Sequence, residues 1–200
     1  MILPSCAPCL YWVKRLDNHE NESCDPGRGP EPDFVQTARG RCGIISVARE
    51  NVQSYPRPPA LEPVPQRIWV RLGNLLVAET TRALRVLETH HAPTYYLPSE
   101  GVFATLRPAQ GTSFCEWKGV ARYFDVILGA ATAPRAAWAY DRPAARFAPI
   151  AGHVAFYAGL MDEAWVGDLR VIPQPGDFYG GWVTPNLDGH IKGAPGTRHW

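Results

Sequence analysis

The chain has 200 residues, 46% of them hydrophobic, and a formal net charge of +1. That is enough for one domain with a sizeable core plus additional chain. Basic and acidic residues are interspersed, which excludes the electrostatic footprint of a nucleic-acid binder and a polybasic membrane patch. No apolar run approaches the roughly 18–20 residues of a membrane span, and residues 1–6 lack the basic flank and long apolar stretch of a secretory signal. The expectation is a cytoplasmic protein without membrane or nucleic-acid partners.

Residues 1–66 carry ten of the twenty prolines and little sustained apolar periodicity, apart from a brief run at 43–47. Such chain buries too little surface to offset its ordering entropy. Residues 1–50 therefore read as a disordered tail or a misassigned start, and 51–66 as a Pro-rich connector in which Tyr55-Pro-Arg-Pro-Pro has polyproline character. Cys6, Cys9, Cys24 and Cys42 fall before the domain. Cys6 and Cys9 have the spacing of half a zinc knuckle, but Cys24 and Cys42 supply no second close pair, so neither a zinc site nor any cofactor is expected.

From residue 67 the pattern is β. Ile68, Val70 and Leu72 share one face, Gly73-Asn74 tolerates positive φ, and 75–80 returns as the second arm of a hairpin. Residues 83–88 fit a strand or a helical turn. Residues 94–97 form a strand stopped by Pro98. The stretch 112–126 brings a thiol, an indole, an amine and a phenol to a tight loop that feeds a strand at 119–128. Residues 136–140 pair with that strand across a loop at 129–134. A short helix is expected at 147–152, followed by strands at 154–157, 162–166 and 169–172. These frequent turns and short strands predict a mainly β antiparallel domain over 67–172, with at most one or two short helices. Residues 173–200 combine Gly and Pro turns with Phe178, Tyr179, Trp182 and Trp200. Rings of that size predict a tail docked in grooves, either on its own subunit or on a neighbour, the second arrangement making a homodimer.

The candidate site is built on Cys115, Lys118, Trp117, Tyr123, Trp138, Tyr140 and His153. Cys115 and Lys118 stand three apart across the turn; an ammonium near a thiol stabilises the nucleophilic thiolate. The alternative is a buried structural cysteine beside a lysine whose stem covers Trp117. Tyr123 lies on the strand after the turn, and Trp138 and Tyr140 share a face of the next by two-residue spacing. Three such rings suit either an aromatic wall for planar ligands or an ordinary core. His153 shares parity with Tyr157 and fits a proton shuttle or a packing role. His90-His91 reads as a solvated pair in a polar loop, and Arg85 with Glu88 as an ion pair bracing the pocket floor.

The chain resembles the bacterial domain-of-unknown-function 427 family over about residues 52–200. The resemblance is carried by Ala-Leu-Arg-Val-Leu-Glu at 83–88, Pro-Thr-Tyr-Tyr-Leu-Pro at 93–98, Thr-Ser-Phe-Cys-Glu-Trp-Lys-Gly at 112–119, Ala-Trp-Ala-Tyr at 137–140 and Pro-Ile-Ala-Gly-His-Val-Ala-Phe-Tyr at 149–157. The flanks resemble the family's longer form, with a Pro-rich segment before the domain and Phe-Tyr-Gly-Gly-Trp at 178–182 after it. The resemblance implies compact tent-like or barrel-like sheets. The family sometimes carries a nucleotidyltransferase label, yet no Gly-Ser followed by paired carboxylates and no Gly-rich phosphate loop is present. Two functions follow as expectations. One is a soluble domain binding an unknown small molecule in an aromatic-walled pocket with a Cys/Lys pair. The other is a non-catalytic protein-interaction module.

Overall fold

A computed structural model describes residues 48–176 and 178–197. The four cysteines at 6–42, the apolar run at 43–47 and Trp200 lie outside the described residues. The strands are β1 (Glu50–Asn51), β2 (Ala60–Val64), β3 (Ile68–Leu72), β4 (Leu75–Thr80), β5 (Ala83–Leu87), β6 (Thr94–Pro98), β7 (Thr105–Cys115), β8 (Gly119–Leu128), β9 (Ala131–Ala139) and β10 (His153–Phe156). After them come β11 (Glu163–Val166), β12 (Leu169–Arg170), β13 (Ile172–Pro173), β14 (Trp182–Val183) and β15 (Leu187–Asp188). Helical structure among the described residues is confined to short 3-10 turns, of which Ala145–Ile150 is the longest and occupies the position where a helix was expected. The domain is mainly β.

The largest sheet has seven strands in the order β2-β5-β6-β10-β9-β8-β7, every pairing antiparallel. A second sheet, β12-β11-β3-β4, contains the predicted hairpin, which turns at Gly73 and Asn74 with φ of 59° and 62°. Two strands fall where the sequence suggested connector or loop. β2 carries Pro63, and β7 carries Pro108 with Gly111. Both are edge strands, where a missing N–H costs no ladder bond. β7 also has a register jump between Ala109 and Thr112, and Gly111 there takes φ 84°. The jump hides the alternation that would have announced a strand.

Strand periodicity gives the seven-stranded sheet two different faces. Tyr95, Leu97, Phe124, Val126, Ala137, Ala139, Val154 and Phe156 point to one side, into a mainly aliphatic core with Ile68, Val70 and Val166 of the four-stranded sheet. Their sequence neighbours Tyr96, Tyr123, Trp138, Tyr140 and Ala155 point to the other, where Phe147 and Ile150 join them. The aromatic groups that carry polar tips therefore concentrate on the second face.

Residues 172–176 and 178–188 run back over the domain. Trp182 is fully buried, its indole donating to the Phe156 carbonyl at 2.8 Å and its ring 5.2 Å from that of Tyr95. The Gln174 side chain accepts from the Ala92 amide at 3.2 Å and donates to the Lys192 carbonyl at 3.0 Å. β15 pairs in parallel with β1, so chain from before and after the central strands meets at one place. Phe178, expected to dock, is instead 69% exposed.

Candidate functional site

The aromatic face encloses a hollow of about 260 Å³, which Cys115, Trp117, Lys118, Tyr123, Trp138 and Tyr140 all line. Register brings them together. Tyr123 on β8 is the direct cross-strand partner of Trp138 on β9, and Trp138 in turn faces Ala155 on β10. Ala155 is the small member of that row and leaves space beside the indole. Tyr140 follows one residue after β9 ends. Cys115 closes β7, and Lys118 lies in the turn that returns to β8. His153 does not join them. Its ring turns to the Ala151 carbonyl at 3.1 Å, and it is absent from the lining of this hollow.

Lys118 is unusual for a lysine in being only 8% exposed. Its ammonium stands over the rings of Tyr140 and Phe147 at 5.9 and 5.8 Å. No carboxylate of the described residues comes within 4.0 Å of it. Glu88, expected to pair with Arg85, turns the other way. Positions three apart on a strand project to opposite faces. Arg85 bonds Glu50 at 2.8 Å and Glu62 at 2.9 Å, whereas Glu88 accepts from the Trp117 indole at 3.3 Å and lies 3.8 Å from Arg57. Arg57 also binds Glu116 at 2.8 Å and covers the Trp117 ring at 5.7 Å.

Further groups were not evident as site residues in the sequence. Tyr96 is 1% exposed and lines the hollow; the Trp138 indole N–H is placed to serve its oxygen, while its own proton meets no acceptor among the described residues. Burial pushes its phenol well above the ordinary range, as it does for Tyr140 next to Cys115 and for Tyr157 next to Tyr123. These phenols keep their protons and remain donors. Tyr123 donates to the Ser113 hydroxyl at 2.8 Å, and Tyr157 packs on Trp138 at 4.5 Å. His91, read as solvated, is partly buried at the rim. It meets Tyr179 edge-on at 4.8 Å, with Nδ1 2.9 Å from the Thr89 carbonyl. Burial lowers its pKa, the Thr89 carbonyl opposing and the Lys192 and Lys118 ammonium groups adding to the effect.

The returning tail completes the wall. Phe178, Tyr179, Gly180 and Lys192 line the hollow, with the Lys192 ammonium 5.3 Å from the Tyr179 ring. At Gly180 a Cβ would fall 2.1 Å from Trp138 Cη2, so only glycine lets the backbone lie on the indole. A larger adjoining hollow of about 590 Å³ shares Ser113, Tyr123, Tyr157 and residues 178–180 with the first. Among the described residues no three His, Cys, Asp or Glu side chains gather in a group able to hold a metal ion. No helix of the described residues is long and apolar enough to cross a membrane.

Residues 60–167 match the family model described as a domain of unknown function, DUF427. The chain belongs to the DUF427 family. The match takes in β2 to β11 and thus Cys115, Lys118 and the aromatic row, while Arg57, residues 178–180 and Lys192 lie outside it. No curated protein matches the chain.

Proposed function

We propose that this DUF427 domain binds a small molecule in the hollow on the aromatic face of its large sheet. The observation that supports the reading is convergence: a thiol, a buried amine, two indoles and three phenols from β6, β7, β8, β9 and the turns beside them share one cavity wall. A concave site that mixes aromatic walls with several convergent polar groups suits a small molecule that carries both a ring and a polar or charged group. Trp138, already covered by Tyr157 and Gly180, offers an apolar wall, Lys118 and Tyr96 offer hydrogen-bond donors, and Cys115 offers a nucleophile. Any reaction on a bound molecule would run through Cys115 and Lys118. A thermal-shift screen of metabolites on the full chain tests the reading. Hits whose shifts disappear in Trp138→Ala, and weaken in Cys115→Ala, are expected. An absence of hits, or hits indifferent to both changes, overturns it.

A second reading, a protein-interaction module, draws on Phe114 and Val120. They are cross-strand partners on the β7–β8 hairpin and both are exposed. Phe114 also lines the hollow, so the discriminating change is Val120→Ser, which leaves metabolite shifts intact under the first reading and weakens partner binding under the second.

A further inference from the structure

We infer that the ligand of this hollow is a planar monoanion, an aromatic ring or ring pair bearing one carboxylate or equivalent acid. The inference rests on the small-molecule reading above and specifies its chemistry. Three cations and two carboxylates border the cavity. Arg57 is occupied by Glu88 and Glu116, which leaves Lys118 and Lys192 with no carboxylate of the described residues within 4.0 Å and their ammonium groups set over ring faces. Burying an ammonium without a counter-charge is costly, and the cost persists unless the site acquires an anion. Ring faces compensate only in part. Tyr96 adds an independent sign: the Trp138 indole N–H can serve its oxygen, but its own buried proton has no acceptor among the described residues, which points to an acceptor brought by something else. Donors at Lys118 and Tyr96, with no acceptor-only group left unengaged by Arg57, describe a recess for an acid. The packed rings of Trp138, Tyr157 and Tyr123 give the aromatic wall against which a ligand ring can rest. The hollow of about 260 Å³ has room for one or two rings, and the adjoining hollow lets a longer substituent extend past Tyr123 and Tyr157.

Calorimetric titration of the full chain with three matched probes tests this: 2-naphthoate, neutral 2-naphthamide and cationic 2-naphthylmethylamine. The acid is expected to bind at least tenfold more tightly than the amide, and the amine least tightly. In Lys118→Gln the ratio of acid to amide affinity is expected to fall to within about twofold, the acid losing far more than the amide; Lys118→Arg is expected to retain part of the preference. Circular dichroism melts of both variants verify folding. If the amide or amine binds as tightly as the acid through a Trp138-dependent site, the charge assignment fails and the small-molecule reading stands. If an acid preference survives in a folded Lys118→Gln, the assignment of that preference to Lys118 fails. If no probe binds, the planar-acid inference fails, and the metabolite screen decides the small-molecule reading separately.

Discussion

His91 stands where the hollow meets the returning tail, and its environment makes a signed prediction. Burial lowers its pKa below the ordinary 6.5, so the unfolded chain takes up a proton at a higher pH than the folded one. The stability contributed by keeping this ring neutral is complete above about pH 6.5, and it is lost as pH falls through 6.5 toward the lower folded value. Melting temperatures between pH 8 and 5 are expected to decline more steeply for the native protein than for His91→Gln; parallel profiles would contradict this. Lys118 gives a prediction of opposite flavour. A buried ammonium held for ligand rather than for folding costs stability. Lys118→Met is therefore expected to raise stability by about 1 kcal/mol, roughly 2–4 °C in Tm, while abolishing the preference for acids. A fall in Tm would mean that the amine braces the fold.

At the scale of elements, the tail and the edge strands carry the main consequences. Trp182 fills a fully buried position and satisfies the Phe156 carbonyl. Its replacement by alanine is expected to cost about 3–5 kcal/mol in chemical denaturation. Gly180→Ala forces a methyl into the Trp138 ring and is expected to cost about 1–3 kcal/mol. That substitution also displaces the indole, so ligand shifts should weaken with it; an unchanged Tm and unchanged shifts would show that the tail does not rest on Trp138.

Legibility in the sequence followed the same division between elements. Alternation exposed β3, β4 and β8, and two-residue spacing put Trp138 and Tyr140 on one face. Tyr96 was missed because Tyr95 and Tyr96 are adjacent rings in one short strand, and nothing local says which of them faces the aliphatic core. β2 and β7 were unread because proline, tolerated at a sheet edge, looks the same as proline in a connector. The pairing of Glu88 with Arg57 rather than Arg85 depends on a contact 31 residues apart, which no local pattern encodes.

For the whole molecule, the family match and the site have different boundaries. The match ends at residue 167, but the hollow is walled in part by Arg57, by residues 178–180 and by Lys192. β1 and β15 pair, and the Trp182 amide donates to the Pro93 carbonyl at 2.8 Å, so the later chain is tied to the central strands at several points. A chain ending at residue 172 is accordingly expected to melt many degrees lower and to lose metabolite-dependent shifts; an unchanged Tm would contradict the tail's structural role. Ligand binding of this kind requires Cys115 to share a solvent-reachable hollow with the groups that hold the ligand. The most direct test is the rate of Cys115 alkylation by iodoacetamide in the full chain, read by peptide mass spectrometry across a metabolite library. The account predicts that at least one small acid slows labelling of Cys115 severalfold while leaving the other four cysteines unaffected. Labelling of Cys115 that no compound alters would contradict it.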